Sequence, residues 1–146
     1  MVIGELNSDS VFSGQIIGSG SLVKVGAGSL TLSGENTYTG QSQVESGTLK
    51  VTGTLSDFTA VSVADVATYQ VESTDTIGSI EGAGSIQIAT GKTLSAGGLN
   101  TDTEVSGVMS GGGGFTKLGT GVTTLSGVNT YMGETTIREG TIKLGS

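Results

Sequence analysis

Apolar and polar residues alternate over short stretches throughout this chain. Leu30 and Leu32 flank Thr31, Ile86 and Ile88 flank Gln87, and Leu49/Val51, Val61/Val63 and Ile142/Leu144 keep the same beat. A period of two sends successive side chains to opposite faces of an extended strand, so each stretch predicts a half-buried strand. Two spaced glycines precede many of them, as in "GSGSLVKV" (Gly18–Val25), "GAGSLTLS" (Gly26–Ser33), "GAGSIQIA" (Gly82–Ala89), "GGGGFTKL" (Gly111–Leu118) and "GTGVTTLS" (Gly119–Ser126). Strands this brief, separated by Gly, Asn-Thr and Ser-Gly turns, predict an all-β architecture.

A longer period overlies the short one. Shifting the sequence by 93 positions lays Lys24 over Lys117 and "LSGENTYTG" (Leu32–Gly40) over "LSGVNTYMG" (Leu125–Gly133). "LNSDSVFSG" then meets "LNTDTEVSG", and "ESGTLKV" meets "REGTIKL", with close to half of the positions identical. The chain is therefore one segment, 1–146, in which duplicated units at about 6–51 and 99–144 bracket a divergent middle at 52–98. A sandwich usually has longer strands and no such offset. Three short strands and three turns give about 20–25 residues per coil of a parallel β-helix. The expected fold is thus a β-solenoid of about six or seven coils. The two copies would lie about four coils, or ~19 Å, apart at ~4.8 Å per coil.

The repeated phrase then has a local job. Gly34, Gly40, Gly47 and their counterparts Gly127, Gly133 and Gly140 would let the chain turn tightly. Asn36–Thr37 and Asn129–Thr130 would bond to their own backbone at the corner. Tyr38 and Tyr131 would lay an apolar ring on the neighbouring coil and leave the hydroxyl at the edge. Leu22, Leu30, Leu32, Val44, Leu49 and Val51, with Phe115, Leu118, Leu125, Ile137, Ile142 and Leu144, would form the stacked interior.

Composition narrows the function. Val, Ile, Leu and Phe make up about a quarter of 146 residues, enough for a core, but aromatics are only 4%. The 27 glycines are interleaved with aliphatics, unlike a flexible linker. A net charge of −7 with six Lys plus Arg lacks the basic stripe that nucleic acid requires and disfavours anionic membranes. No apolar run is long enough for a membrane helix. The start "MVIGELNSDS" lacks the basic and apolar regions of a signal peptide, which fits either an intracellular protein or, the preferred reading, a piece of a longer protein whose address lies elsewhere.

The pattern "GxGxLxKxGxGxLxLSGxNTYTGxxxVxxGTLKV" resembles the passenger-associated strand repeat of bacterial autotransporters. The first copy carries it at Gly18, Gly20, Leu22, Lys24, Gly26, Gly28, Leu30, Leu32–Gly34, Asn36–Gly40, Val44 and Gly47–Val51. The second carries it at Gly111, Gly113, Phe115, Lys117, Gly119, Gly121, Leu125–Gly127, Asn129–Tyr131, Gly133, Ile137 and Gly140–Leu144. Phe115, Thr123 and Met132 depart from it. The resemblance implies a right-handed parallel β-helix displayed at the cell surface, tethered through a C-terminal outer-membrane barrel outside this segment. It also implies a structural part in export and folding, within an adhesin. The implied partners are the rest of the passenger and that barrel, with a host-surface protein, a glycan or a neighbouring copy as adhesive partners; nucleic acid and direct membrane insertion are not expected.

Chemistry is sparse. Without His or Cys there is no soft metal site and no Ser-His or Cys-His pair. "ATGKT" (Ala89–Thr93) ends like a phosphate loop, but Ile86 stands where the first glycine belongs. Gly91–Lys92 therefore reads as a turn, and Gly111–Gly114 as a tight corner. Asp9, Asp57, Asp65, Asp75 and Asp102 stand apart rather than in the serial pattern of calcium-binding β-rolls. A polysaccharide-active β-helix would need facing carboxylates, for which Asp57 and Asp65 are the candidates, while the lone Arg138 argues against a lyase. The acids read as a solvated face. The expectation is a non-enzymatic segment with no cofactor and no metal.

Overall fold

The computed structural model describes residues 1–145. Strands follow one another with no helix among the described residues. They are β1 (Val2–Ile3), β2 (Ser10–Phe12), β3 (Leu22–Lys24), β4 (Ser29–Leu32), β5 (Ser42–Val44) and β6 (Gly47–Val51). Next come β7 (Ala60–Val63), β8 (Ala67–Val71), β9 (Asp75–Ile77), β10 (Ser79–Gly82), β11 (Ser85–Ile88) and β12 (Thr93–Ala96). The last are β13 (Thr103–Val105), β14 (Met109–Ser110), β15 (Gly114–Lys117), β16 (Val122–Leu125), β17 (Thr135–Ile137) and β18 (Thr141–Leu144).

The strands stack into three parallel sheets, which are the three faces of a β-solenoid. The long face runs β1-β3-β5-β7-β10-β13-β16-β18, the second β2-β4-β6-β8-β11-β14 and the third β9-β12-β15-β17. Eight strands on the long face enclose about seven turns. One turn takes as few as 17 residues, where Val71 pairs with Val71's upper neighbour Ile88, and as many as 23, where Gly82 pairs with Val105. Most turns take 19 to 21, slightly fewer than the sequence pattern predicts, because several corners are only one or two residues long. Gly78 alone separates β9 from β10, for example.

The alternating pattern fixes what lies inside. Leu22, Leu30, Leu32, Val44, Leu49 and Val51 are all essentially inaccessible, as are Phe115 and Leu125. They join one continuous core with Val61, Val63, Tyr69, Val71, Ile77, Ile86 and Leu94. Register explains the continuity: Leu30 pairs with Leu49, and Leu49 with Tyr69, so each inward side chain sits on another.

Four expected core residues depart from this. Ile137 is 52% exposed, Leu144 76% exposed and Ile142 only half-buried. They lie in β17 and β18, the outermost strands of their sheets, where no turn of the described chain stacks above them. Leu118 is half-buried for another reason: it falls on the outward beat after Phe115 and Lys117, both wholly buried. The inward position belongs to the lysine.

The two copies also stand in a different relation from the one expected. Leu22 begins on the long face, whose ladder passes through Ser42, Val61 and Ile80 to β13 at Thr103–Val105. From there the chain crosses β14 on the second face before reaching Phe115 in β15 on the third. The shift of 93 residues is thus four turns and two further faces, roughly 22 Å of rise at ~4.8 Å per turn. The first phrase, Asn36–Gly40, occupies the third face below β9, bridged through Glu35 to Thr54. The second, Asn129–Gly133, occupies the second face above β14. Each phrase replaces one strand of its turn, which is why the second face ends at β14.

Candidate functional site

The recurring chemistry of this molecule is at its corners. Asn36 is buried, and its Oδ1 accepts the amide of Ile16, one turn below, at 2.9 Å. Its Nδ2 donates to the carbonyl of Gly34 at 3.0 Å and to Thr54, one turn above, at 3.2 Å. One amide side chain therefore ties three successive turns. Asn129 repeats the contacts below: its Oδ1 accepts the Met109 amide at 2.9 Å and its Nδ2 donates to Gly127 at 3.1 Å. The amides of Thr37 and Tyr38 both donate to the Ile16 carbonyl, and those of Thr130 and Tyr131 to the Met109 carbonyl. The side chains of Thr37 and Thr130 remain exposed. Buried backbone groups that a regular ladder would have paired are satisfied in this way.

The glycines of the phrase hold their places for steric reasons. A Cβ on Gly34 would meet the Gly14 carbonyl oxygen at 2.1 Å, and one on Gly127 the Gly107 oxygen at 1.8 Å. Gly40 and Gly133 donate their amides to Gly20 and Gly113, one turn below. Gly47 and Gly140 adopt φ of +68° and +74°, a left-handed conformation that other L-residues rarely take.

Tyr38 corrects the expectation of an edge-facing hydroxyl. The whole side chain is buried, and its hydroxyl lies 2.6 Å from Ser42 Oγ. Ser42 Oγ is in turn 2.8 Å from Thr59 Oγ1, which donates to the Gly40 carbonyl at 2.6 Å. The chain of hydroxyls satisfies the phenol inside the solenoid, so the ring is swallowed whole. Tyr131 is half-buried, and its hydroxyl lies 2.5 Å from Thr135 Oγ1.

Lys24 and Lys117 are the features that residue-type reasoning missed. Both are wholly buried. Lys24 Nζ donates to the carbonyls of Val25 (2.6 Å), Gly26 (2.9 Å) and Ser46 (3.3 Å), and Lys117 Nζ to those of Leu118 and Gly119 (2.9 Å). The ammonium serves as a plug for a corner that directs its carbonyls inward. Burial pushes both lysines below their ordinary range; the charge of Asp9 partly opposes this at Lys24, and those of Glu139 and Asp102 at Lys117. Strict alternation was the available signal, since an inward Leu22 makes Lys24 inward as well.

Two further pairs sit 93 residues apart. Asn7 and Asn100, both with positive φ near 60°, accept the amides of Ala27 and Thr120 at 2.9 Å. Asp9 and Asp102 accept the amides of Ser29 and Val122 at 2.8 Å. Two of the acids read as a solvated face thus cap the next turn, and a third, Asp75, is buried.

The remaining candidates are not brought together. Asp57 and Asp65 are both exposed, at opposite ends of β7 and on different corners. Gly91 lies in an exposed turn closed by the Lys92 amide on the Ala89 carbonyl. Gly111 and Gly112 form a corner, whereas Gly114 is a buried residue of β15. Among the described residues no group of three or more acids is placed to hold a metal ion.

Stacked parallel turns, pegged at repeated corners by Asn and plugged by Lys, define a β-solenoid scaffold. Residues 22–51 and 115–144 match the passenger-associated-transport repeat. Over 136 residues the chain is 37% identical to a protein of Brucella suis biovar 1 (strain 1330) described as "Adhesin BmaC autotransporter". That alignment covers 89% of this chain and 4% of the relative, so the chain spans a small part of that protein's length. No solved structure matches. The chain belongs to the autotransporter passengers, as a β-solenoid segment bearing two passenger-associated-transport repeats.

Proposed function

We propose that this segment supports the export, folding and surface display of an adhesin-type passenger, in a parent chain that is anchored by a C-terminal outer-membrane barrel. The observation that carries the reading is the duplicated corner: four of its side-chain hydrogen bonds, two from the asparagine and two from the lysine, are made twice, on two different faces. Such a device secures winding wherever it falls, and winding is what a chain emerging in an extended state needs in order to fold turn upon turn. The reading assigns the segment no catalytic step.

The test is display of the parent protein on cells. Leu32→Asp places an unpaired charge in the apolar column and should abolish display. Substitution of outward residues such as Thr31, Lys50 and Gln70 should leave it intact. If Leu32→Asp chains reach the surface and resist protease like wild type, the scaffold role is refuted.

A second reading, adhesion by a face of the segment itself, is favoured by the outward ranks of the second face. Thr31, Lys50 and Gln70 lie in register there, as do Gln87 and Ser110. They form a flat polar surface suited to a protein, a glycan or another copy. In that case the same outward substitutions would abolish cell attachment while display persisted.

A further inference from the structure

The inward column of the third face contains one residue that does not belong to an apolar ladder. Asp75 pairs with Leu94, and Leu94 with Phe115, while the amide of Leu55 points up at Asp75 from the turn below. The Asp75 side chain is 5% exposed. Its Oδ2 accepts the Leu55 amide at 2.9 Å, and its Oδ1 accepts the amide of Thr76 at 2.9 Å.

The first of these bonds is the contact that Asn36 makes to Ile16 and Asn129 to Met109: a side-chain oxygen accepting the amide 20 residues earlier. Asp75 makes the same bond to the turn below from the start of β9, outside either phrase. The asparagine pegs are neutral and also donate from Nδ2. An ionised aspartate can only accept, and it brings a charge into the core. Protonation removes the charge, so the acid form shares with asparagine its neutrality and its bond to the amide one turn below, whereas the bond from the Thr76 amide has no counterpart in the asparagine pegs.

The surroundings favour the acid form. The titratable groups that act on this interior are Asp57, from the segment below, Tyr69 of β8 and Tyr38 of the first phrase. β12, stacked above, turns Leu94 and Ala96 inward, and among the described residues no lysine or arginine acts on the carboxyl. The Tyr69 hydroxyl is buried without a hydrogen-bond partner. Its ionisation is suppressed first by burial and then by the charges of Asp75 and Tyr38. Burial raises Asp75 from 3.8 to about 6; the amides of Leu55 and Thr76 oppose the shift, and Asp57 adds to it.

We propose that Asp75 is a proton-operated peg in the middle of the solenoid, fastening the turns around β9 when protonated and loosening them when ionised. A carboxyl that binds its proton more tightly in the folded chain favours folding fully below the unfolded value. That contribution is lost as pH rises through the folded value. The window is therefore between about pH 4 and pH 6, and the segment is wound more firmly in mildly acid than in neutral surroundings. The effect on the folding equilibrium is at most on the order of a hundredfold.

Asp75→Asn installs a permanently neutral side chain that keeps an acceptor for the Leu55 amide and gives up the one for the Thr76 amide. Thermal unfolding of the 146-residue chain and of this variant, from pH 7.5 to 4.0, isolates the contribution of Asp75 and its coupling to Asp57, because the acids that do not act on Asp75 cancel in the difference. The stability of wild type relative to the variant should rise as pH falls from 6 to 4. A difference that is independent of pH, or that moves against wild type as pH falls, overturns the proposal. A carbon-13 titration of the Asp75 carboxyl in wild type provides a test that does not depend on the variant folding: a midpoint near 6 supports the peg, and one at 5 or below overturns it.

Discussion

Lys24 shows how far one side chain can be determined by its neighbours. Residue type alone puts a lysine in water, since a buried ammonium without partners is costly. Its place between Leu22 and the Gly26 corner leaves it no outward direction, and the Val25, Gly26 and Ser46 carbonyls replace the lost solvent. Lys24→Met keeps the stem but leaves these carbonyls without their donor, so we expect a loss of about 2 kcal/mol in folding stability, measured by urea unfolding. An unchanged midpoint would mean that the plug contributes nothing. Tyr38 teaches the same lesson, because its hydroxyl is inside only where Ser42 and Thr59 can receive it.

Among the elements, corners rather than strands carry the specification. Period two predicted β4, β6, β7 and β11 directly, because an inward aliphatic on every second position needs nothing beyond the sheet it joins. The function of a corner depends on the turn beneath it. Gly47 has φ +68°, and a Cβ there would meet the Gly26 and Gly28 carbonyl oxygens at 2.3 and 2.4 Å. Gly98 lies in an open loop, where a Cβ would meet nothing within 4 Å. Gly47→Ala should therefore cost about 1–3 kcal/mol, while Gly98→Ala should be neutral or slightly stabilising, as thermal melts of the two variants would show. Equal melting temperatures would remove close packing as the reason for the repeat glycines.

At the scale of the whole molecule, stability is shared between neighbouring turns, so the middle should outlast the ends. Val2 and Leu144 are largely exposed, whereas Leu49, Tyr69 and Val71 are sealed above and below. Amide hydrogen exchange should accordingly be slowest in β6, β8 and β11 and fastest in β1, β2, β17 and β18. Uniform protection along the chain would contradict this gradient. Ile137 and Leu144 are the same effect seen in burial: both repeat inward positions of the first copy, and the missing neighbour above leaves them exposed.

The all-β solenoid, most of its inward aliphatics and the duplicated phrase were legible in the sequence, while Leu118, expected inside, faces outward. Alternation, glycine corners and a repeated offset are local properties that a chain carries wherever it lies. Three matters were not local. The face that each phrase occupies depends on the summed lengths of all the turns between them, which vary from 17 to 23 residues. The burial of Lys24 and Lys117 depends on carbonyls brought round by the next corner and, at Lys24, by the next turn. Asp75 lies inside because Leu94 stacks above it and Leu55 offers an amide from below, two contacts that exist only once the chain has wound past itself.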